Sequence, residues 1–412
     1  MTNNWGRKLL LLLLLLGIIS SQPACWDRRE VEQLIIVGGI GIEPAPAEQI
    51  RVIVQVLNPR AVAGAIGGLV TTAEQKSYRN LKAEGDTVFE AIRRITWESP
   101  RRPFYGHTQV ILLDEGLVRE CSVRELLDFF ERDHELRRNT WLLVSRSDLV
   151  NLMDTPGLLD PGPAMRLARI IKDRGLTSQY AVQPVGDFLE MLESEGTDPF
   201  TAGVELRPNL SYKPEHTNDT LPAMEPEHTM LVNGTAVFQG DKLAGWLNST
   251  ESRGVLWVRG QVRSGTIQVP APGGQGKPVA LEILGCKSKL QPELRNGQLS
   301  LTLKLQVESN VAESRTDINL NQPEIIRSLE DFQAEAIRAE IQAALARAQQ
   351  EYRADVFGFG EAIHRKYPGE WREMKDNWSE LLPAVPVQIE VASKIRRTGL
   401  ITRPTGLGWD NK

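Results

Sequence analysis

The chain has 412 residues, with 48 Lys and Arg against 53 Asp and Glu, 41% hydrophobic and 25% charged residues, and 3 Cys. This is the make-up of a globular protein of two or three domains, and it excludes whole-chain disorder, collagen and a polytopic membrane protein. A net charge of −5 leaves no basic footprint for nucleic acid, and 3 cysteines cannot staple so long a chain.

At the amino terminus, Arg7 and Lys8 precede an unbroken apolar run from Leu9 to Ile19, followed by Ser20, Ser21, Gln22, Pro23 and Ala24. As a helix that run would reach only about 16 Å, half of a hydrocarbon core. Residues 1–24 therefore read as a cleaved secretory signal rather than a transmembrane helix. Cys25 follows the small Ala24, where a bacterial lipoprotein signal places the cysteine that receives a diacylglyceryl anchor. Gln22 and Pro23 stand where such signals usually carry Leu and a small residue, and a secreted protein with a free Cys25 is the alternative reading. Loss of Arg7 and Lys8 takes the net charge from −5 to −7, so attachment would rest on acyl chains rather than on basic residues.

The mature chain opens with an almost continuous apolar and glycine run, Gln33 to Ile42, which predicts a strand buried on both faces. Ile50 to Leu57 alternates, with Val52, Val54 and Val56 inward and Arg51 and Gln55 outward. Ala61 to Val70 is a glycine-rich loop. Asp86 caps a helix carrying Val88, Ile92 and Ile95, and Ser122 caps a second with Leu126, Leu127 and Phe130. Strands over Thr108–Leu113 and Thr140–Ser145 interleave with them. Short helical patterns at Pro163–Asp173 and Pro184–Glu193 and a strand at Ala202–Leu206 complete residues 25–206, a mixed α/β region with a subdomain break near 154–163.

Residues 207–229 hold four prolines and little apolar periodicity, and read as a linker. In residues 230–400, strands are expected at Leu231–Phe238, Gly254–Val262, Val279–Cys286 and Leu299–Val307, the last alternating strictly. A long helix opens at Pro323 and runs to about Tyr352, a helical region at Ala362–Leu382 carries Trp371 and Trp378, and Val387–Val391 is a closing strand. Residues 401–412 form a tail. The fold class is α+β, in two or three domains with mixed or antiparallel sheets flanked by helices and a long helix in the C-terminal domain.

Chemistry-bearing motifs are sparse. Gly38-Gly39-Ile40-Gly41 follows a strand, but the third glycine of a dinucleotide fingerprint would fall on Pro44. His107 and His134 lack a nucleophile at any telling spacing. His216 and His228, each beside a glutamate, sit where nothing pre-organises a metal. Cys121 and Cys286, in different halves, read as buried inert thiols. Arg132, Asp133, Glu135, Arg137 and Arg138 form a salt-bridged surface at a helix end that fixes the next strand or meets a partner. Trp371 and Trp378, seven apart, are core or interface residues rather than a nucleic-acid platform. No catalytic residue, metal or cofactor is assigned.

Cys25 is followed by Trp26-Asp27-Arg28-Arg29-Glu30, Gln33 to Val37 and Gly39-Ile40-Gly41-Ile42-Glu43. Downstream stand Gly106-His107-Thr108, Arg132-Asp133-His134-Glu135-Leu136-Arg137, Gly234 to Phe238, Gly245-Trp246-Leu247 and Glu251-Ser252-Arg253-Gly254. Asp355, Phe357, Gly358, Trp371, Trp378 and Ile395 to Gly399 close the series. In this order the motifs resemble the C-subunit lipoproteins of spore germinant receptors, the Ger(x)C family, over essentially the whole mature chain. The resemblance implies a non-enzymatic lipoprotein anchored through Cys25 on the outer surface of the spore inner membrane. Its partners would be the integral membrane A- and B-type receptor subunits, and Trp26, Asp27, Arg28, Arg29, His107, Arg132 and Asp133 would serve partner contact or structure. A lipoprotein that captures a small solute for a transporter is the second expectation.

Overall fold

The computed structural model describes residues 4–20, 34–58, 77–99, 101–133, 135–156, 160–173, 177–211, 227–273, 277–315, 318–320 and 322–398. Cys25, Trp26, Asp27, Arg28, Arg29, His134, His216, the glycine-rich segment 61–70 and the 401–412 tail lie outside these residues. A leading helix α1 spans Asn4–Ser20, and no helix among the described residues is long and apolar enough to cross a membrane.

The first half contains β1 (Leu34–Pro44), β2 (Ile50–Leu57), β3 (Tyr78–Gly85), α2 (Val88–Glu98), β4 (Arg102–Phe104), β5 (Val110–Asp114), α3 (Glu115–Glu120) and α4 (Val123–Arg132). It continues with β6 (Trp141–Ser145), α5 (Leu149–Asp154), α6 (Pro163–Lys172), β7 (Gln183–Pro184), α7 (Val185–Glu193), β8 (Phe200–Pro208), β9 (His228–Gln239) and β10 (Lys242–Leu247). These strands form one sheet in the order β10-β9-β8-β6-β5-β1-β2-β3, with β4 added to β1 and β7 to β6. The centre, β1-β5-β6-β8, is parallel, and both flanks are antiparallel. A parallel centre requires crossover helices on the sheet faces, and both faces are covered. Ile111 and Leu113 pack with α2, α4 and α7, whereas Val110 and Leu112 pack with α5 and α6.

The second half contains α8 (Ser249–Val258), β11 (Gly265–Pro270), β12 (Pro278–Arg295), β13 (Gln298–Ser314), α9 (Pro323–Ala344), α10 (Phe359–Lys366), α11 (Pro368–Met374), α12 (Trp378–Leu381) and β14 (Val387–Arg397). Its sheet runs β11-β12-β13-β14, with β14 parallel to β13 and the other pairs antiparallel. Asn296 (φ 52°) and Gly297 (φ 78°) turn the long β12–β13 hairpin, the two-residue left-handed turn that suits the twist of the strands. The helix expected from Pro323 continues past α9 as a π-helical turn, Leu345–Glu351.

Four local expectations change. Val255 to Val258 belongs to a helix, α8, rather than a strand. The Asn248 side chain accepts from Glu251 N at 2.9 Å, and the Glu251 carboxylate accepts from Asn248 N at 2.8 Å, a reciprocal cap that starts the helix. Thr87, not Asp86, caps α2, its hydroxyl accepting from Glu90 N, while Asp86 holds Gln49. Gln55 is fully buried, because its amide closes a gap by donating to Asn80 Oδ1 and Met153 O and accepting from Ala164 N. Cys121 is exposed, just beyond α3, and Cys286 is half-buried; both are free thiols.

The expected linker lies between β8 and β9, which are hydrogen-bonded neighbours in the first sheet, with Pro208 opposite His228. Residues 228–247 therefore complete the first sheet, and the chain passes to the second only at α8. Phe200, Val237 and Leu247 also pack into the core of the second half, so the two sheets share a hydrophobic junction.

Candidate functional site

A groove of about 360 Å³ opens between α2, the start of β4 and the end of α4. Val88, Ala91, Ile92 and Ile95 turn one stripe of α2 into the core, which leaves Phe89 and Arg93 on its outer side. Phe89 packs against Phe129 of α4 (ring centroids 5.7 Å apart), and the Arg93 guanidinium lies over the Phe89 ring at 4.9 Å. Arg101 and Arg102 rise from the far wall, where Arg102 Nη2 meets Glu135 Oε1 at 3.0 Å. Asp133 lines the same groove and accepts from Glu135 N at 2.7 Å.

Tyr105 stands at the base, 6% exposed, and its hydroxyl has no partner among the described residues. Burial holds the phenol well above its usual range. Asp133 and Glu135 push in the same direction, while Arg93 and Arg102 oppose them. The phenol is thus a neutral donor ringed by two guanidiniums and two carboxylates. Guanidinium, phenol and aromatic rings are recognition groups; they bind and orient anions and apolar surfaces.

Of the sequence candidates, the structure brings one into this groove and places others near it. Asp133 is in it, and Arg132 lies just outside, exposed and paired with Asp128 at 2.8 Å. His107 is exposed on the turn after β4, its ring edge-on to Phe104 at 5.6 Å. Arg138 reaches Gly186 O and Glu190 of α7, so the charge run that follows α4 ties that helix to β4 and α7. Arg93, Arg101 and Arg102 were not among the sequence candidates. The signal was available in the Phe89, Arg93, Trp97 spacing, which puts all three on one helical stripe, and in the Arg101-Arg102 pair ahead of Pro103.

The remaining motifs gather at the junction of the two halves. Asp355 is fully buried and accepts from the N–H groups of Phe357, Gly358, Phe359 and Gly360 and from Trp378 Nε1, at 2.7–3.2 Å. Its own N–H donates to Asp198 Oδ2 at 2.7 Å, and its carbonyl accepts from Asp198 N at 2.9 Å. Asp198 in turn accepts from Gly240 N, so one loop of each half clasps the other. Tyr352 Oη donates to Trp246 O and accepts from Trp246 N, and Trp246 Nε1 donates to Glu115. Arg253 and Trp257 of α8 both donate to Glu340 of α9. Trp371 and Trp378, on successive short helices, pack edge to face at 5.3 Å against this cluster.

Comparison with known proteins agrees with this architecture. Residues 27–206 match the model for the spore germination protein N-terminal domain, and residues 233–399 match that for the spore germination B3/GerAC-like C-terminal domain. Spore germination protein KC of Bacillus subtilis (strain 168) is 28% identical over 403 residues, covering 97% of this chain and 98% of its own length. Spore germination protein B3 of the same organism is 24% identical over 384 residues, covering 92% and 94%. The crystal structure of the GerBC protein superposes with a TM-score of 0.55 at 19% identity, over 87% of this chain and 96% of that one, and so shares the fold. With both of its halves matched in order, the chain belongs to the GerAC-like, or Ger(x)C, family of spore germination proteins.

Proposed function

We propose that this protein is a non-enzymatic, lipid-anchored subunit of a spore nutrient germinant receptor, held through Cys25 on the outer surface of the spore inner membrane. There it would assemble with integral membrane A- and B-type subunits. The observation that carries the reading is the end-to-end match to spore germination proteins, across both family domains and nearly the full length of the relatives. The geometry is in keeping with a scaffold. The clasped junction fixes the two halves to each other, so that surfaces on both are presented to a partner in one arrangement. The second expectation, solute capture, asks for two similar lobes around a cleft; a large sheet with a parallel centre beside a four-stranded, mostly antiparallel one does not provide them.

Two measurements test the proposal. Purification of the tagged chain from spore membranes is expected to bring two integral membrane germination proteins with it; recovery of the chain alone under mild detergent would count against assembly. Replacing Cys25→Ala is expected to move the protein from the membrane to the soluble fraction and to depress nutrient-triggered germination. Unchanged fractionation and germination would remove the anchoring role.

A further inference from the structure

Besides the groove itself, the outer side of α2 carries two of the largest exposed rings of the folded halves. Trp97 is 80% exposed and Phe89 48% exposed, and with Arg93 they stand at positions i, i+4 and i+8, within about 80° of arc on one helical face. Arg101 and Arg102 continue the patch beyond the helix, both exposed. Of these cations Arg102 shares its charge with Glu135, whereas Arg93 lies over a ring. On an acidic chain the patch is locally basic and aromatic. Asp133 is the carboxylate that lines it, Glu90 is engaged with Arg94 and Asp128 with Arg132. An indole left in water beside guanidiniums suits a lipid headgroup layer, where the ring body leaves water and the cations meet phosphates.

The position of the patch relative to Cys25 supplies the second argument. Strand β4 runs parallel to the first residues of β1, with Leu34 opposite Arg102 and Ile36 opposite Phe104. Eight residues separate Cys25 from Leu34, so an acylated Cys25 lies within about 30 Å of that strand end, even at full extension. The described chain therefore enters the fold beside Arg101 and Arg102, and the length of the intervening segment keeps an anchor at Cys25 within reach of the basic-aromatic face.

We propose that the face formed by Phe89, Arg93, Trp97, Arg101 and Arg102 rests on an anionic bilayer surface, with guanidiniums on lipid phosphates and Trp97 at headgroup depth. This rests on the anchored reading above. Acyl chains supply the attachment, and the patch sets the orientation in which the two halves stand over the membrane.

The test uses the acylated full chain in vesicles of phosphatidylcholine and phosphatidylglycerol whose acyl chains carry bromine, a short-range quencher of indole emission. Wild type is expected to lose about one tryptophan's share more emission than Trp97→Phe, which keeps its fold because residue 97 is exposed. The double variant Arg93→Glu, Arg101→Glu is expected to lose that extra quenching too, while both variants still float with the vesicles. Equal quenching of wild type and Trp97→Phe overturns the proposal, as does an extra quenching that the double variant retains. A Trp97 shielded only when integral subunits are present would also overturn it, by making the face a protein contact. Should wild type itself fail to float, the anchored reading fails instead, so the two failures are told apart.

Discussion

The carboxylate of Asp355 shows how a buried charge can organise a junction. It has no exposed surface, and five N–H groups converge on it. Burial raises its pKa from 3.8 to about 6 although the donors pull it down, and burial raises Asp198 as well. At neutral pH it is ionised and accepts from all five. Asp355→Asn puts an NH₂ where an acceptor is needed and leaves buried N–H groups unpaired, an expected loss of roughly 2–4 kcal/mol in denaturant unfolding. The pH dependence has a definite sign. Because the folded value lies above the unfolded one, this group's contribution is fully present below pH 3.8 and is lost as the pH rises through about 6. The stability of wild type relative to Asp355→Asn is therefore expected to increase on acidification across that window; a flat difference would show that the group is not shifted. None of this was legible in the sequence beyond the Asp355, Phe357, Gly358 motif, since an aspartate in a loop reads as solvated until its loop is seen folded around it.

Among the elements, α8 departs most from its sequence signature. Its apolar run Val255 to Val258 is buried on every side, against the first sheet, the second sheet and α9, and a run without a polar face has neither helical nor strand periodicity. The informative signal was local, the Asn248 and Glu251 cap. Gly254 sets how closely α8 approaches α9, because a Cβ there would collide with the Glu340 carbonyl and lie 2.6 Å from Ala344 Cβ. Gly254→Ala is expected to cost about 1–3 kcal/mol through overpacking, seen as a lower denaturant midpoint at unchanged slope. The same helix pair carries the partly buried Arg253–Glu340 ion pair, whose partners must keep their register for both charges to stay satisfied. Strands with one solvated face were far more legible. In β13, Leu301, Leu303, Leu305 and Val307 are inside and alternate with polar residues, as the period of two requires.

For the molecule as a whole, the consequence is that the chain divides differently in sequence and in space. The family domains meet between residues 206 and 233, yet β9 and β10, downstream of 227, complete the first sheet. A fragment ending at residue 206 would expose the edge of β8 and remove Ala236, Phe238 and Leu243 from the first core. It is expected to aggregate or resist folding, whereas one ending at residue 247 keeps the complete sheet and is expected to be more protease-resistant and soluble. Equal behaviour of the two would show that β9 and β10 are dispensable to the first sheet. With the core shared and the junction clasped, the full chain is expected to unfold in one transition, and Tyr352→Phe, which takes the hydroxyl from Trp246 N and O, to lower its unfolding free energy by about 1 kcal/mol.

Sequence patterns set the local choices, because hydrophobic period, caps and turn residues act within a few positions of one another. The strand β1 (Leu34–Pro44), the long helix from Pro323, the Asn296-Gly297 turn and the family motifs are of that kind. Which half owns β9 and β10, why Gln55 and Asp355 are buried, and how Phe89, Arg93, Arg101 and Arg102 come to share a groove beside the strand end that leads back to Cys25 were decided only by tertiary structure. Those features depend on strand pairing and on partners tens of residues away, where closure of the fold, rather than neighbouring residues, supplies the hydrogen bonds and excludes the water.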